Sequence, residues 1–75
     1  MAKLLSECKA GEHGKVLSVQ GEGKMRRRLF DMGVTVGAPV QMRKKAPLGD
    51  PIQVTVRGYE LTLRKTEAAC VEVEI

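Results

Sequence analysis

Four stretches of this chain place an apolar residue at every second position, the pattern of strands with one face buried and one face wet. Val40 and Met42 alternate with Gln41 and Arg43, and Ile52, Val54 and Val56 with Gln53, Thr55 and Arg57. Leu61 and Leu63 alternate with Thr62 and Arg64, and Val71, Val73 and Ile75 with Glu72 and Glu74. Val16 to Val19, closed by Gly21, reads as a further, early strand. Between the early strand and Val40 the period changes. Met25, Leu29 and Met32 fall at i, i+4 and i+7 in a run of good helix formers, and Gly33 supplies a stop. This spacing predicts a helix over Lys24–Met32 whose apolar stripe covers one opening of the fold. Thr66 to Ala69 reads as a single helical or 3₁₀ turn.

The connections are short. Gly58-Tyr59 separates two alternating runs, which predicts a hairpin with glycine at the first central turn position. Ala46-Pro47-Leu48-Gly49-Asp50-Pro51 holds two prolines and a glycine, and Pro51 pushes Asp50 toward extended geometry, so a rigid loop is expected. No repeat or linker breaks the chain, so residues 1–75 are read as one domain. About five short strands, one short α-helix and a 3₁₀ turn make a mainly β architecture. A small barrel of the SH3 or OB type satisfies it by limiting open edges, and the SH3-like form is preferred.

Composition narrows the function. Seventy-five residues, 43% of them hydrophobic with Phe30 and Tyr59 the only aromatics, give a core of Val, Leu, Ile and Met. A core this small yields roughly 3–5 kcal/mol of net stability, which leaves little for a strained active site. The charge is uneven. Residues 24–65 carry ten basic and three acidic groups, whereas the first 23 residues balance and the last ten carry only acids. A basic middle attracts nucleic acid, anionic headgroups or an acidic protein surface without choosing among them. Two cysteines and no uninterrupted apolar run near the amino end suit a reducing cytosol, with no insertion into a membrane.

An enzyme fails on inventory: one histidine, no Ser-His-Asp set, and a Gly21–Lys24 segment (GEGK) too short for a phosphate loop. No catalytic residue and no cofactor is expected. Cys8, His13 and Cys70 have metal-binding chemistry but not the recurring close spacing of a structural metal site, so no metal ligand is assigned. Cys8 reads as a small core hydrophobe and both thiols as free, although first and last strands running side by side would bring Cys8 near Cys70.

Three segments are more specific than any of these patterns. RRRLFDMG at Arg26–Gly33, KAPLGDPI at Lys45–Ile52 and VRGYELTLRKTEAA at Val56–Ala69, in that order and spacing, resemble the ferrous-iron transport protein A (FeoA) family. With Leu4-Leu5 and Gly11, the resemblance covers essentially the whole chain. It implies an SH3-like barrel in the bacterial cytosol, acting on the iron-transporting membrane GTPase FeoB as an adaptor that binds and modulates it. The family pattern carries no catalytic residue to transfer.

Candidate contact residues follow from position. Arg26, Arg27 and Arg28 point in directions about 100° apart around a helix, so some face solvent, either to dock on an acidic partner or as an ordinary wet face. Phe30 lies one residue round from the buried Leu29 and is a candidate anchor beside the arginines, or else part of the barrel edge. Leu48 sits on the rigid loop, where little entropy is lost on binding, or else folds back onto the barrel. Arg26, Arg27, Phe30, Leu48 and Tyr59 form the candidate partner-binding set. The competing function is a basic SH3- or OB-like nucleic-acid-binding module, for which two aromatics offer a poor stacking platform. Nucleic acid is therefore not the expected partner.

Overall fold

The computed structural model describes all residues, 1–75. Six antiparallel strands form one sheet in the order β1-β6-β2-β3-β4-β5: β1 Ala2–Leu4, β2 His13–Val19, β3 Pro39–Lys45, β4 Ile52–Val56, β5 Tyr59–Leu63 and β6 Val71–Glu74. The alternating runs become β3 to β6, and their apolar positions face inward except Ile75, which lies beyond β6 and is exposed. Ile52, Val54, Val56, Leu63, Val71 and Val73 are all essentially buried. The sheet coils around them with register shifts at Val16/Ser18 and Met42/Lys44. Such bulges sharpen the twist of a strand, which lets a short sheet wrap one core. The result is the expected mainly β, SH3-like architecture.

Helix α1 spans Gly23–Asp31, and its stripe behaves as the spacing predicts. Leu29 is fully buried, and Met25 and Met32 pack against the core. Its C-terminus closes by two crossed bonds, Gly33 N–H to Phe30 C=O at 2.9 Å and Val34 N–H to Leu29 C=O at 2.9 Å. Gly33 sits at φ +93°, the left-handed geometry this ending requires. The buried Val34 and Leu29 supply the apolar contact that accompanies it. The single helical turn expected at Thr66–Ala69 is the short helix α2, Lys65–Ala68, one residue earlier.

Two features depart from the sequence reading. β1 and the 3₁₀ turn Leu5–Glu7 that follows it were not expected, because three residues (Ala2-Lys3-Leu4) are too few to show a period. β1 is a strand because it pairs with β6, Ala2 opposite Glu74 and Leu4 opposite Glu72. The hairpin turn is also displaced by one residue. Its central residues are Arg57 (φ 52°) and Gly58 (φ 85°), and Val56 pairs directly with Tyr59. Two positive φ values define a type I′ turn, which matches the twist of the flanking strands. Glycine therefore holds the second central position and Arg57 the first.

Candidate partner-binding surface

On α1 the three arginines diverge. Arg28 turns toward α2, where its Nε lies 3.4 Å from a carboxylate oxygen of Glu67. Glu67 is only 5% exposed, and its other oxygen accepts the Arg64 N–H at 2.8 Å, which caps α2. Arg28 is thus partly committed to the fold. Arg26 and Arg27 remain on the outer face, and Phe30 stands one turn beyond Arg26. The Arg26 guanidinium sits 5.3 Å from the centre of the Phe30 ring, a cation–π contact that holds both side chains on one patch. Phe30 is 37% exposed, so its ring is neither core nor free.

The far end of α1 joins this patch to the hairpin. An Arg57 guanidinium N–H donates to Thr35 Oγ1 at 2.8 Å and the Arg57 backbone N–H to Pro39 C=O at 3.0 Å, which ties the β4–β5 turn to the segment leaving α1. Tyr59 follows that turn at 75% exposure. Val36, 65% exposed, precedes Gly37, whose N–H bonds Val16 C=O at 2.8 Å. Leu17 of β2 is also partly exposed. Neither Val36 nor Leu17 was singled out in the sequence. Val34 is buried and Val36 is exposed, a difference the sequence pattern does not signal.

Leu48 belongs elsewhere. It is 93% exposed on the loop between β3 and β4, and that loop is closed by Ala46 N–H to Pro51 C=O at 3.0 Å and Gly49 N–H to Ala46 C=O at 2.7 Å. Asp50 accepts the Lys65 N–H at 3.0 Å and so pins the loop to the start of α2. The Arg57–Gly58 turn lies at the other end of β4, about 17 Å away at the rise of an extended strand. Arg26, Arg27 and Phe30 therefore share the outer face of α1, Tyr59 follows the hairpin turn that is tied to Thr35, and Leu48 stands apart on a loop tip.

A groove of about 590 Å³ runs between α1 and α2, lined among others by Lys24, Met25, Arg28, Arg64 and Cys70. The Cys70 thiol lies 3.2 Å from the Met25 sulfur, and Gly21 at φ +104° faces it. A Cβ at Gly21 would come within 3.0 Å of the Cys70 sulfur, so the glycine serves both backbone and packing. Cys8 is buried, with its thiol directed at the Leu4 carbonyl, and burial pushes that thiol above its ordinary pKa. Both thiols are unbridged. His13 is exposed on β2. Cys8, His13 and Cys70 do not converge, and no three His, Cys, Asp or Glu side chains gather in a metal-holding arrangement. No helix is long and apolar enough to cross a membrane.

Comparison with known proteins places this geometry. The model of the FeoA domain matches residues 3–75. A fusion protein of Fe(2+) transport protein A and the Fe(2+) transporter FeoB from Porphyromonas gingivalis is 35% identical over 71 residues, 95% of this chain. The chain spans only 8% of that relative's length. Among solved structures, the FeoA protein of Chlorobium tepidum is 46% identical, with a TM-score of 0.90 over 97% of this chain and 70% of its own. The zinc complex of Stenotrophomonas maltophilia FeoA, described as an SH3 domain protein, is 34% identical, with a TM-score of 0.84 over 96% of this chain and 89% of its own.

Proposed function

Because the chain belongs to the FeoA family, we propose that it is a cytosolic accessory protein of ferrous-iron uptake that binds an FeoB-type membrane GTPase and modulates its activity. One observation carries the reading: in the P. gingivalis relative, a segment similar to this whole chain is joined to FeoB in a single polypeptide. Covalent fusion of two modules holds them at a high effective concentration, which is useful when they act on each other. Contact between the two modules rests on the domain's surface chemistry. The outer face of α1 offers a half-exposed aromatic with a cationic neighbour, and Tyr59 and Val36 are exposed elsewhere on the surface. Aromatic and arginine side chains are enriched among the anchors of protein interfaces. Any nucleotide chemistry stays in the GTPase, and the domain supplies contacts rather than a catalytic step.

Calorimetric titration of the domain into the cytosolic GTPase region of the matching transporter, with GDP and with a GTP analogue, tests this. Saturable binding is expected, weakened about tenfold or more by Phe30→Asp, the loss that follows when an interface anchor is removed. Absence of binding in both nucleotide states, with the variant and the parent indistinguishable, would overturn the proposal.

A further inference from the structure

The loop between β3 and β4 carries the most exposed large apolar side chain of the molecule, Leu48 at 93%. Pro47 and Leu48 are the central pair of a turn closed by the Gly49 N–H to Ala46 C=O bond, so the leucine stands at its outermost point. The Ala46 N–H to Pro51 C=O bond narrows the base, and Asp50 fastens the returning limb to Lys65. The tip therefore stands off the barrel instead of folding back onto it. Around it the charge is nearly all of one sign. Arg43, Lys44 and Lys45 lead into the loop, and Arg64 and Lys65 lie where Asp50 meets the start of α2. Residues 43–51 and 64–65 thus hold five cations and one acid. Lys45 is partly committed, its ammonium donating to Ser6 C=O at 2.8 Å. Arg43, Lys44, Arg64 and Lys65 are exposed, with side chains in no ion pair.

We infer that this loop docks on an anionic membrane surface, with Leu48 entering the headgroup layer and Arg43, Lys44, Arg64 and Lys65 lying against lipid phosphates. The chemistry differs from that of the outer face of α1. There an aromatic and arginines offer what protein interfaces favour, whereas lysine is depleted from such interfaces and leucine is under-represented among their anchors. A lone convex leucine also needs a fitted pocket in a folded partner. A fluid lipid layer yields to it without one, and anionic headgroups attract the cations around it. No helix crosses the bilayer, and a contact with the headgroup layer needs none. One small apolar anchor is too little for stable attachment by itself, so the cations supply the greater share and the binding is weak and salt-sensitive. The inference does not depend on the transporter contact, because it concerns lipid alone.

Co-sedimentation of the whole chain with vesicles tests it. Vesicles of phosphatidylglycerol and phosphatidylcholine in equal parts should bind the chain at about 0.1 M salt and release it at about 1 M, as the screening length falls from about 10 Å to about 3 Å. Vesicles of phosphatidylcholine alone should not bind it. Lys44→Gln or Lys65→Gln should weaken binding about fivefold, the share of one cation beside an anionic surface. Leu48→Ser should weaken it about tenfold, the loss for an apolar side chain withdrawn from cover. Lys15→Gln removes the same charge from β2, opposite Pro39 at the far end of β3. It should change binding by less than about twofold, because it lies beyond the screening length of about 10 Å. All four side chains are exposed, so the variants keep the fold. Absence of binding to the anionic vesicles would overturn the inference. Unaltered binding by Leu48→Ser would do the same by leaving attraction to charge alone, as would equal losses for Lys15→Gln and Lys44→Gln by making net charge the cause. Amide signals of Leu48 and Gly49 that broaden with the transporter's GTPase region but not with vesicles would also overturn it, and assign the loop to a protein surface.

Discussion

Glu67 shows how one side chain serves two helices at once. It lies in the sequence between a threonine and two alanines, where an acid reads as a wet helix position, yet it is nearly buried. Burial is tolerated because both oxygens have partners: one takes the Arg64 N–H that opens α2, and the other faces the Arg28 guanidinium of α1. Removing the carboxylate strands a helix-opening N–H and frees Arg28. Glu67→Ala should therefore destabilise the domain by about 1–3 kcal/mol, the range for a lost cap and a buried donor left unpaired. Glu67→Gln keeps an oxygen for the N–H and gives up only the ion pair with Arg28, which is largely exposed and worth at most about 1 kcal/mol. Urea midpoints should rank the parent above Glu67→Gln and Glu67→Ala last; equal midpoints for the two variants would mean that the ion pair, not the cap, is the stabilising contact.

Strands and helix with enough length to show a period were legible in the sequence. The alternating run Ile52–Arg57 held β4, Ile52–Val56, and α1 was found to within a residue, because alternation and an i, i+4, i+7 stripe each force a face. β1 was hidden because its three residues become a strand only through β6, a partner 70 positions away. The hairpin turn was misplaced by one residue for a local reason. Glycine at the first central position would also make an acceptable turn, and only the pairing of Val56 with Tyr59 puts Arg57 there. Arg57 consequently holds a left-handed φ of 52° that costs a non-glycine residue about 1 kcal/mol. Asparagine suits that position best. Its exposed bond to Thr35 is worth less, roughly 0.5 kcal/mol. Arg57→Asn should then raise stability by a few tenths to about 1 kcal/mol, seen as a higher denaturant midpoint at unchanged slope. A lower midpoint would show that the tie between the hairpin and Thr35 outweighs the backbone strain. The same tie explains why the candidate site was only partly readable: the bond from the hairpin turn to Thr35 joins residues far apart in sequence, while Arg28, equal to its neighbours in sequence, is drawn off by α2.

At the scale of the molecule, the amino-terminal strand is fastened by charge, and the two candidate contact regions are set apart by the fold. The Lys3–Glu12 pair joins β1 to the segment entering β2. The bond to Lys3, aided by the Lys9 N–H, holds the Glu12 carboxyl below its ordinary pKa, and the bond to Glu12 raises that of Lys3. For Glu12, a lowered folded value means stabilisation present above the unfolded value and lost as pH falls through the folded one. For Lys3 the contribution is present below its unfolded value and disappears as pH rises through the folded one. Urea unfolding of Glu12→Gln should accordingly differ from the parent near neutrality and converge with it in acid; a constant gap would assign the effect to packing. The second consequence concerns binding. Leu48 and Tyr59 sit at opposite ends of β4, with no shared partner and a separation beyond the range in which substitutions couple, about 7–10 Å. If the transporter's GTPase region covers both, their losses must add. The Leu48→Asp, Tyr59→Ala double variant should lose affinity equal to the product of the two single losses, within about twofold, the usual error of additivity. If only one single variant weakens binding, the partner contacts one end of the barrel. A double variant no weaker than the worse single one, when both singles bind poorly, would reveal that the barrel changes shape on binding and joins regions the free fold keeps apart.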